Sequence, residues 1–333
     1  MKLAIVILNW NGAELLKKYL PSVLKYSEGS EIYVIDNAST DDSVAVLKKE
    51  FPNVSIVINN ENYGFAGGYN NGLKNIKADY YCLLNSDVEV TPNWLTPIIV
   101  GFNTIPNASI IQPKILDIKK KGSFEYAGAA GGFIDKLGYP FCRGRIFQAL
   151  EEDKGQYDDV HEIFWATGAC MFIKSDVFWE LNGFDTDYFA HQEEVDLCWR
   201  AKNNGHKVYY VGESKVYHLG GSTLSNMNPK KTFLNFRNSL YSIIKNLPPH
   251  KAFPIIFFRL LLDGIAAFRF FFQLKLNHFA AIFKAHLSFY FNFFSMYKKR
   301  EKAKFVLKYY IVTSIVWEHF VNQIKNFNIL IKD

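Results

Sequence analysis

The chain has 333 residues, with 38 Lys+Arg against 32 Asp+Glu (formal net charge +6), 49% hydrophobic and 17% aromatic residues. A composition this apolar and aromatic excludes a disordered chain, and four scattered cysteines (Cys82, Cys142, Cys170 and Cys198) exclude a small disulfide-stapled secreted domain. The length fits about two domains at the usual ~150 residues each.

The apolar run at 3–8 is too short for a signal h-region, has no cleavage site after it, and reads as a first strand buried on both faces. The chain is therefore expected in the cytoplasm, with its thiols free. None of the cysteines has metal-ligand spacing. A helix is expected over 13–26 and a second strand over 31–35, ending in DNASTDD. There Ser39 or Thr40 can cap the next helix, and Asp41 and Asp42 suit its positive end. A third strand at 54–58 precedes the glycine-rich ENYGFAGGYNNG and a helix to about residue 76. A fourth strand at 80–84 ends in NSDVEV, and Pro92 opens another helix.

Strand–helix repetition of this kind gives a parallel sheet covered by helices on both faces. Ligands bind such sheets at the carboxyl ends of the strands. The polar clusters at 9–11, 36–42, 62–71 and 85–89 should therefore share one crevice.

The middle is less regular. Residues 125–133 and 136–147 are rich in glycine and aromatics, 151–159 form an acidic loop, 165–173 read as a turn and strand, and 183–185 as a turn. A helix is expected over 193–204, with Asp196 and Arg200 as i,i+4 partners. Gly205 ends it, and 207–211 form another strand. From Pro229 the pattern is helical, broken once at Pro248-Pro249.

VILNWNG, VIDNASTDDS, NYGFAGGYNNG, LLNSDVEV, the pair TGACMFIK and GFDTDYFAHQEEVDLCWR, and VYHLGGST follow one another in fixed order over residues 6–223. In these segments the chain resembles the family 2 glycosyltransferases, and within them the rhamnosyltransferase-like branch of bacterial surface polysaccharide synthesis. The resemblance covers about residues 1–240. It implies the GT-A fold, an α/β architecture with a mostly parallel, Rossmann-like sheet, followed here by a C-terminal amphipathic helical extension at 241–333. It also implies inverting transfer from a nucleotide-diphosphate sugar, possibly dTDP-rhamnose, to a saccharide acceptor that is commonly lipid-linked.

Such a reaction must neutralise a leaving diphosphate and take a proton from the attacking hydroxyl. A divalent cation, Mg²⁺ or Mn²⁺, suits the first task. The resemblance carries metal binding to Asp87, although Asn85-Ser86-Asp87 stands where the family has Asp-x-Asp, and to His218. Asn85 and Ser86 then face the nucleotide, with Glu89 nearby. Asp36 is expected to bind the base, with Asn37 sharing the task and Asn9 and Trp10 lining the pocket. Asn62, Gly64, Gly67 and Gly68 form the branch-specific loop, whose helix start can face an anion. Gly168 and Ala169 match the small-residue turn beside the sugar. Gly131, Gly132 and Arg143 to Arg145 shape the donor or acceptor end, and His191 is a pocket wall. A carboxylate serves as general base. The acidic pair carries the role to Glu194, with Glu193 as its rival.

The overall charge conceals an asymmetry. Residues 245–333 hold 14 Lys+Arg against 4 Asp+Glu, together with 16 of the 30 Phe. Charged residues interrupt every stretch long enough to span a bilayer. The tail is expected to lie on an anionic membrane surface at the inner face of the cytoplasmic membrane. Lys298, Lys299, Arg300, Lys302 and Lys304 would contribute roughly 1 kcal/mol each near the headgroups. A soluble helical subdomain is the alternative. NWNG replaces the G-x-G-x-x-G of dinucleotide enzymes, and no nucleic-acid module is present. A catalytically impaired, nucleotide-sugar-binding membrane scaffold is the competing class. The sequence leaves the oligomeric state open.

Overall fold

A computed structural model describes residues 2–220, 228–301 and 308–331. The sheet is built on β1 (Leu3–Asn9), which pairs in parallel with β2 (Glu31–Asp36) on one side and with β4 (Tyr80–Asn85) on the other. Alternate β1 side chains enter two cores. Leu3, Ile5 and Ile7 pack with Leu16, Leu20 and Val23 of α1 (Ala13–Tyr26). Ala4 and Val6 pack with Ala66, Tyr69 and Leu73 of α3 (Gly64–Leu73). A strand covered on both faces must be continuously apolar, which is why 3–8 carries no alternation.

Beyond β2 lie α2 (Ser43–Glu50) and the edge strand β3 (Ser55–Ile58). Ser39 and Thr40 do not cap α2, which starts after Asp42. Asp41 instead accepts from Ala13 N and Ser43 N at 3.0 Å, bridging the first turns of two helices. After β4 come β5 (Val88–Val90), α4 (Leu95–Thr104) and β6 (Ala108–Asp117).

Four short strands then form a separate antiparallel sheet: β7 (Gly132–Ile134), β8 (Pro140–Cys142), β9 (Arg145–Ile146) and β10 (Ala149–Leu150). Local periodicity did not show this sheet, because strands of two or three residues carry no period. Next are β11 (Val160–Ile163), β12 (Cys170–Lys174), α5 (Ser175–Glu180), a 3₁₀ turn at Thr186–Tyr188, α6 (Glu193–Asn203) and β13 (Lys207–His218). The main sheet has the order β11-β13-β6-β12-β4-β1-β2-β3, with β5 on β13. β12 runs antiparallel to both β4 and β6, and β13 parallel to β6, so most strands share one direction. The strand expected at 207–211 continues to His218 through a register shift between Val211 and Lys215.

The tail comprises α7 (Pro229–Asn246), α8 (Pro249–Phe272), α9 (Leu276–Lys298), α10 (Ile315–Phe320) and α11 (Phe327–Leu330). The boundary expected at 240 falls inside α7, whose Lys245 and Asn246 bond to the buried Asp196 of α6. Residues 221–227, including the end of VYHLGGST, lie outside the described residues, as do Lys302 and Lys304. Lys299 pairs with Asp185 and Asp187, and Arg300 donates to Leu247 O. Two members of the expected basic cluster are thus engaged within the protein. Among the described residues no helix is long and apolar enough to cross a membrane. All four cysteines are free and buried.

Candidate active site

The parallel register places Asn9 beside Asp36 at the carboxyl ends of β1 and β2. Asn9 Nδ2 donates to Asp36 Oδ1 at 3.3 Å and to Ser39 Oγ at 3.2 Å, and Ser39 N returns to Asp36 Oδ2 at 3.0 Å. Asn9 Oδ1 is buried without a partner. It faces Gly12, where a Cβ would come within 2.5 Å of it. Trp10 stands next to this network, 49% exposed, and so offers a ring face to a planar ligand.

Asn37 is placed differently from expectation. Its Nδ2 donates to Asn62 Oδ1 and to Gly64 O, each at 3.0 Å, and its Oδ1 accepts from Asn59 Nδ2 at 3.0 Å. The amide is spent on holding the 59–64 loop. Asn59 was not foreseen, because it lies before the recognisable loop motif.

Gly64 has φ of +70°, and a Cβ there would lie 2.6 Å from Phe189 O. That carbonyl accepts from Phe65 N at 2.8 Å and Ala66 N at 3.3 Å. The helix-start N–H groups expected to face an anion are instead bonded to the loop before α6. Gly67 lets α3 approach Tyr63, and Gly68 lets it approach Leu8 and Asn37. The signature loop thus clamps the catalytic loop. Gly168 packs against the Phe65 ring, and Ala169 O accepts from Asn85 N at 3.0 Å. Ser86 is half-buried between Asn85 and Asp87, and its Oγ would stand 3.8 Å from a Cβ at Gly12.

Antiparallel pairing of β5 with β13 sets Val88 opposite His218 and brings Asp87 to it. His218 Nε2 lies 3.1 Å from Asp87 Oδ1, and Nδ1 lies 3.1 Å from Glu125 Oε2. Asn85 Nδ2 is 3.4 Å from the same Nε2. Burial alone would lower the imidazole pKa, but the hydrogen bonds to Asp87 and Glu125 carry it up to about 10. Glu125, in an irregular loop after β6, has no motif to announce it.

Asp87 offers a divalent cation a carboxylate oxygen, and His218, held protonated between Asp87 and Glu125, can join it as a ligand only on losing its proton. Glu125 meets the opposite ring nitrogen and does not complete a three-residue set. Among the described residues no group of three His, Cys, Asp or Glu converges on one point.

Before α6 the chain bends sharply. Phe189, His191 and Gln192 all have positive φ, at 61°, 68° and 71°, a conformation that costs a non-glycine residue about 1 kcal/mol or more. Asn238 of α7 holds the bend, donating to the carbonyls of Tyr188, Ala190 and His191 at 3.0, 3.0 and 2.7 Å. Nothing in the sequence marks Asn238, because it belongs to a helix 50 residues further along.

The bend buries Glu193 and half-buries Glu194. Oε2 of each, and Nε2 of His191, lack partners. Burial pushes Glu194 up to about 7. Burial, with the Glu194 charge added, pushes Glu193 well above the usual carboxylate range. Burial and the Lys231 charge push His191 down to about 4, so it is neutral at pH 7 and serves as a wall. A half-buried carboxylate titrating near 7, with an unused oxygen, is suited to proton abstraction.

Comparisons with known proteins show the fold and the family. An N-acetylglucosaminyl-diphospho-decaprenol L-rhamnosyltransferase of Mycobacterium tuberculosis is 24% identical over 235 residues, 65% of this chain and 75% of its own length. A low-salt glycan biosynthesis hexosyltransferase of Haloferax volcanii is 24% identical over 204 residues, 60% of this chain and 61% of its own. Among solved structures, GalNAc-T7 with UDP, GalNAc and Mn2+ superposes with a TM-score of 0.56 at 18% identity. That match covers 73% of this chain and 47% of the other, so the chain spans about half of that protein. The Pyrobaculum calidifontis mannosyltransferase with GDP-Man and Mn2+ has a TM-score of 0.52 at 13% identity and covers 86% of each chain. These superpositions show the GT-A fold. The family model described as glycosyl transferase family 2 matches residues 4–181, more than half of the chain: the protein belongs to that family and is a glycosyltransferase.

Proposed function

We propose that the protein is an inverting, divalent-metal-dependent transferase that moves a sugar from a nucleotide-diphosphate donor, with dTDP-rhamnose the first candidate, to a lipid-linked saccharide in cell-surface polysaccharide synthesis. The observation that carries this reading is the pair of partnerless carboxylate oxygens of Glu193 and Glu194 at the start of α6, in a chain whose Asp87–His218 pair follows β4 and ends β13. The M. tuberculosis relative, whose name specifies a diphospho-decaprenol acceptor, supports the lipid-linked part.

In this mechanism Asp36 and Asn9 hold the base and Trp10 covers it. Asp87 and His218 would hold the cation, which supplies positive charge to the departing diphosphate. Glu194 takes the proton of the acceptor hydroxyl as its oxygen forms a bond to the anomeric carbon. The bond from that carbon to the diphosphate oxygen breaks in the same displacement, which inverts the centre. Orphaned, burial-raised carboxylates are costly to keep, and a catalytically dead scaffold has no use for them.

The tail reading is a peripheral one. α8 and α9 expose the large apolar side chains Phe257, Phe258, Ile265, Phe272, Phe291 and Phe294. With the tail's basic excess, this supports adsorption to the inner face of an anionic cytoplasmic membrane.

The test is a panel of nucleotide sugars, with nucleoside diphosphate release measured with and without EDTA. Release from one donor, abolished by EDTA and restored by Mg²⁺ or Mn²⁺, is expected. Neither turnover nor binding of any donor would overturn the reading.

A further inference from the structure

One buried stripe of α7 is polar where an amphipathic helix ordinarily places apolar side chains. Asn238, Ser242, Lys245 and Asn246 stand at i, i+4, i+7 and i+8, and none is more than 7% exposed. Each bonds to the chain on one side or the other of Glu194. Ser242 Oγ lies 3.0 Å from Tyr188 Oη. Lys245 donates to Asp185 and Asp196, and Asn246 to Asp196. Asn238 meets the bend itself, with Nδ2 donating to the carbonyls of Tyr188, Ala190 and His191 at 3.0, 3.0 and 2.7 Å. Glu194 therefore lies between two points fixed to one helix, the His191 carbonyl before it and Asp196 after it.

The amide of Asn238 is oriented from behind. Its Oδ1 accepts from Arg237 Nε at 2.8 Å, which leaves Nδ2 as the end that faces the carbonyls. Arg237 Nη2 adds bonds to Asp187 O at 2.9 Å and Tyr188 O at 3.3 Å. Three peptide oxygens turned toward one point repel each other unless a donor stands there, and the amide brings two N–H groups. Apolar residues of like volume in a buried stripe are often as stable as charged or polar ones, or more so, so stability alone does not call for four polar side chains. A satisfied polar network does something else: it rigidifies and selects one geometry. The geometry selected here is a strained one, with Phe189, His191 and Gln192 at positive φ directly before the acidic pair.

We infer that Asn238 is a positioning residue for sugar transfer, holding the bend so that the Glu194 carboxylate is aimed at the acceptor hydroxyl. The inference rests on the general-base reading above. Asn238 is fully buried and acts through the backbone of 188–191. A displacement of the base by about 1 Å is enough to cost roughly 10²-fold in rate.

The test is a double-variant cycle in the full chain, reading nucleoside diphosphate release from the donor that turns over in the panel above. Asn238→Ala should lower kcat about 10²-fold, with donor KM and the affinity for UDP or dTDP within about twofold of the parent. In the Glu194→Gln background the same substitution should cost nothing further, because the two residues act as a unit. Arg237→Gln, at a half-buried position, should show the same pattern at smaller amplitude and keeps the test sound should Asn238→Ala fold poorly. Losses that multiply in the double variant, an unchanged kcat, or nucleotide affinity that falls in step with kcat would overturn the proposal. If Glu194→Gln transfers at the parental rate, the base reading has failed, and the cycle is run with Glu193→Gln. A loss shared with Glu193 then retains the positioning role, and independent losses remove it. Amide hydrogen exchange over 186–195 needs no turnover. It should be about tenfold faster in Asn238→Ala and parental in Glu194→Gln. Parental exchange in Asn238→Ala would overturn the proposal whether or not any donor turns over.

Discussion

Lys245 of α7 places its ammonium 2.9 Å from Asp196 Oδ2, inside the protein and away from water. The same carboxylate accepts from Arg200 Nε at 2.8 Å and Asn246 Nδ2 at 2.9 Å. Burial by itself would raise the Asp196 pKa; the Lys245 and Arg200 charges outweigh it and hold the group well below the usual carboxylate range. Removing the carboxylate takes from Arg200 the carboxylate it pairs with and leaves Lys245 to Asp185, and breaking a buried pair in this way costs about 3–5 kcal/mol. Asp196→Ala should lose that much in urea unfolding. Because the folded pKa is depressed, this stability is present above the unfolded value of about 3.9 and is lost as pH falls toward the folded one. The variant should therefore show a flatter acid limb, and a loss below about 1 kcal/mol would contradict the assignment.

Glu194 carries the opposite sign. Its carboxyl is pushed up to about 7 by burial, and a base acts only when ionised. The rate of transfer should climb with pH to about 7 and then level. Glu194→Gln should retain nucleotide binding and lose transfer by roughly 10²-fold or more. A raised acid pKa also means that stability is full below the unfolded value and declines as pH rises through the folded one. Glu194→Gln should therefore melt higher than the parent at pH 8, and the difference should vanish near pH 4. Normal transfer by Glu194→Gln, with a dead Glu193→Gln, would exchange the two roles.

Gly64→Ala should disturb the catalytic bend without touching substrate. The added Cβ meets Phe189 O at 2.6 Å from a backbone at φ +70°, and a cost of about 1–3 kcal/mol is expected. Thermal melting reads the strain, and kcat should fall more than KM rises. An unchanged kcat would show that the contact between loop and bend has no bearing on catalysis.

Asp87→Ala removes one of the two donors proposed for the cation. Donor affinity measured with Mg²⁺ should drop to the value the parent shows in EDTA, and EDTA should have no further effect on the variant. A residual EDTA response would place the cation elsewhere.

Exchanging Phe257, Phe258, Phe291 and Phe294 for Ser should abolish flotation with anionic liposomes and leave nucleotide binding intact. Equal flotation of variant and parent would refute membrane adsorption through α8 and α9.

The parts of the fold that were legible share one property: local sequence fixes them. The run at 3–8 is apolar because both its faces are covered, and the polar ends of β1, β2 and β4 gather because parallel strands end on the same side. The i,i+4 pairing of Asp196 with Arg200 also needs only helix geometry. What was hidden is non-local. Glu125, Asn59 and Asn238 become meaningful only when distant elements bring His218, Asn37 and the 188–191 carbonyls to them. The bonds of Asn37 were hidden for the same reason, since sequence shows that an amide is present but not what already occupies it. The signature loop's N–H groups are unavailable to an anion because Phe189 O, more than 120 residues away, reaches them first.

Asp185 receives Lys245 at 2.7 Å and Lys299 at 2.6 Å, one from each end of the helical hairpin, and stands just before the turn that enters the catalytic bend. A chain cut at residue 240 would lack the Lys245 and Lys299 counter-ions of Asp185 and Asp196. The tail helices are thereby fastened, through two lysines, to the segment that leads into the residue proposed to take the acceptor's proton.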